Sequence, residues 1–126
     1  GMDGRALFLV GIGGALGAIA RYLSTTLIPI DSHWSTLAIN LSGSLLLGII
    51  AGGFHGAGVV SDELLLFLGT GILGAFTTMS TFSVDMMKML DESQWSTAML
   101  YLGSTALIGP ILALIGWKCT SIFLST

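Results

Sequence analysis

Charge is what this sequence lacks. Of 126 residues only 4 are Lys or Arg and 7 are Asp or Glu, so 9% of the chain is charged while 53% is apolar, with a mean hydropathy of +0.92. Soluble domains carry about 25% charged residues, so an ordinary water-exposed domain is excluded. The few basic residues form no stripe, and the net charge of −3 argues further against nucleic acid as a partner. Cysteine is almost missing. Cys119 alone excludes an intrachain disulfide and a cysteine cluster for metal, and it reads as a packing residue. His33 and His55 fall near opposite faces of the membrane that the chain is expected to cross, too far apart to pair as ligands or as acid and base, so no enzyme is expected.

What remains is long uncharged sequence. Residues 6–20, 32–61, 64–84 and 93–117 contain no Asp, Glu, Lys or Arg. A helix needs about 20 mostly apolar residues to cross the hydrocarbon. The last three runs reach that length outright; the first does so only by including Arg21 and continuing to Ile28. The expected fold is therefore an all-α integral membrane protein, one domain over residues 1–126, with helices at 4–27, 33–54, 61–90 and 95–122. Pro29 and Asp31 end the first helix, Ser32 caps the second, and Ser61-Asp62-Glu63 starts the third. No cleaved signal peptide is expected, and Gly1 ahead of Met2 reads as a residue left by tag removal. Glycines recur through all four helices, where small residues let helices approach closely in lipid.

Orientation follows from the four cations. Arg5 and Lys118 approach the face of the termini, and Arg21 and Lys88 approach the other, so the positive-inside rule selects neither orientation. A chain without bias inserts both ways. Antiparallel pairing then places a two-fold axis in the membrane plane.

Residues 69–85, Gly-Thr-Gly-Ile-Leu-Gly-Ala-Phe-Thr-Thr-Met-Ser-Thr-Phe-Ser-Val-Asp, lie within the third crossing and make a poor uninterrupted helix. Glycine and clustered β-branched hydroxyl residues weaken helical propensity, and the hydroxyls compete for main-chain hydrogen bonds. A break near 74–78 is expected, as a candidate cation site built from carbonyl oxygens; the alternative is a continuous helix whose hydroxyls bond back to it. Asn40 is the second polar outlier, one turn from Thr36 on the same helix face. Its amide either joins helices or offers N–H donors to a passing anion. Tyr101 and Ser104 form a similar pair on the fourth helix.

Three motifs now carry a resemblance. Gly13-Gly14-Ala15-Leu16-Gly17-Ala18-Ile19-Ala20-Arg21-Tyr22, Thr36-Leu37-Ala38-Ile39-Asn40-Leu41-Ser42-Gly43, and Gly74-Ala75-Phe76-Thr77-Thr78-Met79-Ser80-Thr81-Phe82-Ser83 occur in this order. Over essentially its whole length the chain resembles the Fluc (CrcB) fluoride channels. The resemblance implies a passive, fluoride-selective channel of the prokaryotic inner membrane, an antiparallel dual-topology homodimer among lipids, exporting fluoride from the cytoplasm through two separate pores. It implies a central structural sodium ion on the backbone carbonyls of Gly74 and Thr77. The pore lining maps to Asn40, Met79, Ser80, Thr81, Phe82 and Tyr101, with Thr36 and Ser104 beside them. Arg21 either raises anion concentration at the pore mouth or serves as a structural partner for helix ends or for Asp85.

One position departs from the family pattern, which has phenylalanine where this chain has Met79; natural divergence and deliberate replacement both account for it. Methionine keeps the volume but loses the ring quadrupole. The rival reading, a proton-coupled transporter of the small multidrug resistance type, needs a membrane-embedded glutamate in the first helix. Residues 6–20 contain no acid.

Overall fold

A computed structural model describes residues 3–124, so Gly1, and with it the reading of that residue given above, lies outside the described residues. Four helical crossings account for nearly all of them. Helix α1 spans Gly4–Leu27, capped by Asp3, whose carboxylate accepts from the Ala6 N–H at 2.7 Å. Helix α2 runs over Ser32–Gly56. The third crossing is in two pieces, α3 over residues 62–76 and α4 over Met79–Asp91. Helix α5 spans Trp95–Leu124. All four crossings are long and apolar enough to span a bilayer, and large apolar side chains such as Phe8, Ile19, Leu107 and Phe123 point outward. The chain is a multi-pass integral membrane protein.

Parallel neighbours pack most closely. On α1, Gly13 and Gly17 lie against the main chain of Phe67, Gly71 and Ile72 in α3. On α2, Gly48 and Gly52 lie against Ala113 and Trp117 of α5, while Gly116 of α5 returns the contact to Leu45 and Ile49. Backbone touches backbone because no Cβ intervenes. Dispersion contacts of this kind hold helices together where apolar burial gives no drive for association. At one end of the bundle Arg5 pairs with Glu63 at 2.8 Å, joining the starts of α1 and α3.

Three stretches are wound more widely than an α-helix, with hydrogen bonds to the residue five back: Gly52–Gly56, Leu65–Leu73 and Ser104–Ile108. Such turns are rare and cluster at functional sites. The second is nine residues long, ends one short α-helical stretch, Gly74–Phe76, before the break, and carries the closest approach to α1. The third directly precedes Gly109-Pro110. Proline removes an N–H and crowds the preceding turn, and the wide turn gives its ring room.

The third crossing stops being helical at Phe76 and resumes at Met79. Thr77 (φ −77°, ψ 153°) and Thr78 (φ −148°, ψ 119°) are extended, the conformation that β-branched residues favour. The continuous-helix alternative is excluded for this segment.

Candidate functional site

The break is stabilised by side chains, and one of them comes from another helix. Asn40 on α2 pairs with Thr78 at both ends of its amide: Nδ2 donates to the Thr78 carbonyl at 3.1 Å, and Oδ1 accepts from the Thr78 N–H at 2.8 Å. The second Nδ2 hydrogen is not used in that pairing. Thr78 also caps α4, its Oγ1 accepting from the Thr81 N–H at 3.2 Å. The same oxygen lies 3.3 Å from the hydroxyls of Ser80 and Thr81. Thr77 turns its hydroxyl back to the Leu73 carbonyl at 3.0 Å, and its methyl fills the space that a side chain on Gly43 would take.

These bonds redirect two main-chain donors. In an uninterrupted helix the Thr78 N–H would bond the Gly74 carbonyl and the Thr81 N–H the Thr77 carbonyl. Here both N–H groups go to side-chain oxygens. Gly74 and Thr77 are left with carbonyls that have lost their helical donors.

Beside the break lies an open groove of about 350 Å³. Asn40, Ser44, Thr77, Thr78 and Thr105 are its polar residues, Leu41, Leu47, Met79 and Phe82 its large side chains, and none of its lining residues is charged. Met79 stands at the rim with 75% of its surface exposed, whereas Phe82 is 8% exposed. Residues three apart thus form two steps along one wall, the outer flexible and the inner fixed.

Behind Phe82 lies a compact buried cluster. Its ring meets that of Tyr101 at a centroid distance of 4.9 Å. Tyr101 has no exposed surface, and its hydroxyl donates to Asp85 Oδ2 at 3.0 Å. Ser32 donates to Oδ1 of the same carboxyl at 3.3 Å. Thr36 is fully buried and does not line the groove. Asp85 is not singled out by its surroundings in the sequence, since it closes an apolar run like any helix-end acid. Its 5% exposure and its two hydroxyl donors come from helices 53 and 16 residues away. Tyr101→Phe leaves this buried carboxyl short of a donor. It should cost about 1–3 kcal/mol of stability, read as a lowered unfolding temperature in detergent, while Tyr101→Trp should do worse for lack of space.

The remaining sequence candidates divide. Ser80 is exposed and Thr81 half-buried, both at the first turn of α4. Ser104 does not reach the groove, where Thr105 stands in its place with its hydroxyl on the Tyr101 carbonyl at 2.8 Å. Arg21 forms no ion pair among the described residues, where Arg5 and Glu63 supply the salt bridge. The expectation of an Arg21 partnership with Asp85 is therefore corrected: hydroxyls occupy that carboxyl.

The CrcB-like protein (Camphor Resistance) family model matches residues 8–117. Proteins named fluoride-specific ion channel FluC are among the relatives. That of Hyphomonas neptunium is 39% identical over 125 residues, covering 94% of this chain and 98% of its own. That of Phenylobacterium zucineum is 42% identical, covering 82% and 86%. A Geobacillus kaustophilus protein named fluoride-specific ion channel FluC 1 is 40% identical, covering 89% and 95%. With a match along most of its length, and with relatives of near-equal size, this chain belongs to the CrcB family.

Proposed function

We propose that the chain is a subunit of a passive fluoride channel, a channel and not an enzyme, that exports fluoride from the cytoplasm across the inner membrane. The observation that carries this reading is the groove beside the break, a mainly apolar wall that includes Leu41, Leu47, Met79 and Phe82, in which Asn40 and four hydroxyl residues supply the polar groups and no residue is charged. Fluoride is small and costly to dehydrate. The Asn40 Nδ2 hydrogen left over from the Thr78 pairing is a neutral donor that can replace water without trapping the ion, and the positive edge of the Phe82 ring can face negative charge. No proton-carrying carboxylate lines the groove, so coupling to a proton gradient has no obvious group to act through. The relatives named above as fluoride-specific channels support the choice of ion.

The groove is open on one side, and the exposed Met79 at its rim suits closure by a second copy. With two cations near each face, antiparallel pairing gives both copies the same environment. Each pair then holds two pores, lined in each case by Asn40, Met79, Ser80, Thr81 and Phe82 with Thr36, Tyr101 and Ser104 behind or beside them, and Arg21 drawing anions to the mouth. Four carbonyls, from Gly74 and Thr77 of both chains, hold a structural sodium ion on the axis. Their lost helical donors make them strong acceptors in a medium without water.

Liposomes containing the purified protein test the central claim. Fluoride electrodes should record rapid efflux under an electrical gradient, with chloride efflux at least a hundredfold slower; equal rates, or fluoride efflux that needs an opposing proton gradient, would refute it. Dual insertion is tested separately. A reporter fused at the C-terminus should be found on both sides of the membrane in comparable amounts, and a uniform location would remove the antiparallel dimer.

A further inference from the structure

We infer that Asn40 and Thr78 are positioning residues for the cation site, holding two main-chain N–H groups away from the carbonyls that bind the ion. The inference rests on the sodium reading above and goes beyond it by assigning what keeps the site open. Asn40 Oδ1 takes the Thr78 N–H at 2.8 Å, and Thr78 Oγ1 takes the Thr81 N–H at 3.2 Å. These N–H groups are the helical donors to the carbonyls of Gly74 and Thr77. A free N–H in the membrane interior is costly. Without the two side-chain oxygens, each N–H is drawn back to its helical carbonyl, and the helix closes over the site.

The arrangement is directional. Asn40 also donates to the Thr78 carbonyl at 3.1 Å, so one amide holds both peptide planes that flank the Thr78 Cα, including the plane that carries the Thr77 carbonyl. Thr78 is buried, at 7% exposure, and water does not substitute freely for its hydroxyl. The carbonyls are thus presented by side chains that need not touch the ion. Asn40 acts on Gly74 from a different helix, and Thr78 acts on Thr77 from the next residue.

The test uses the full chain, purified in sodium-free detergent, and reads its unfolding temperature as NaCl replaces N-methyl-glucamine chloride at constant ionic strength. Ligand that binds only the folded state raises that temperature with concentration. The wild-type protein should rise with NaCl. Asn40→Leu and Thr78→Val should need at least tenfold more NaCl for half the rise, while Thr78→Ser, which keeps the oxygen, should match the wild type. A merely structural role predicts something else: a lower unfolding temperature in both salts with the half-rise concentration unmoved, and that result overturns the inference while leaving the sodium reading intact. A wild-type protein indifferent to NaCl removes the sodium reading itself. If Asn40→Leu does not fold, Thr78→Val decides alone, because it keeps the Asn40 pairing and exchanges one hydroxyl for a methyl group.

Discussion

Met79→Phe is expected to raise fluoride throughput by roughly twofold to tenfold, since an aromatic edge contributes about 0.5–1.5 kcal/mol and 1.36 kcal/mol is tenfold in rate. The side chain stands at the rim of the groove, 75% exposed, one step outside the fixed Phe82 ring. A thioether presents a weak acceptor and a flexible chain, whereas a phenyl edge presents polarised C–H groups. The gain should appear in the transition between the mouth and the inner step. Because Met79 faces the groove and is not packed into the core of its own chain, its exchange should leave the unfolding temperature of the purified protein nearly unchanged. Fluoride efflux from liposomes and thermal unfolding in detergent, measured together, decide the matter. Unchanged efflux with a shifted unfolding temperature would make Met79 a packing residue.

Gly17→Ala should destabilise the protein by about 1–3 kcal/mol, the cost of overpacking a close-packed site. The added methyl would fall on the Ile72 carbonyl of α3, a backbone atom that no rotamer change moves aside. Gly11→Ala is the matched control on the same helix, because nothing lies within 4 Å of the atom it adds. There alanine is favoured over glycine by about 1 kcal/mol of helix propensity, so that variant should be neutral or slightly more stable. Unfolding temperatures that fall equally in both variants would mean that the α1 and α3 backbones do not meet at Gly17.

The four crossings and the break were legible in the sequence because each rests on a local cause. Length and apolar composition define the spans, and the Thr77-Thr78 pair resists helix within a glycine-rich segment. Pairing between Asn40 and Thr78 was not legible. The sequence singled out Asn40 as needing partners, but nothing local names a backbone peptide 38 residues away. Periodicity misled at Ser104: a three-residue spacing from Tyr101 suggests one face, yet the helix widens over Ser104–Ile108, and Thr105 is the residue that reaches the groove. In the sequence a lone acid and a lone base suggest an ion pair, and Asp85 is offered as such a partner for Arg21. Two hydroxyls, from Ser32 and Tyr101, satisfy it instead.

The Asn40 pairing has a consequence for the order in which this chain matures. A newly made third crossing entering lipid by itself has no partner for a peptide released from its helix, and each such group costs several kcal/mol there. It must enter as one unbroken rod. Only after lateral association with the second crossing does an amide become available to receive Thr78, and only then can the rod part at Thr77. The break is in this sense a late event of biogenesis, written after insertion by a neighbour made earlier in translation.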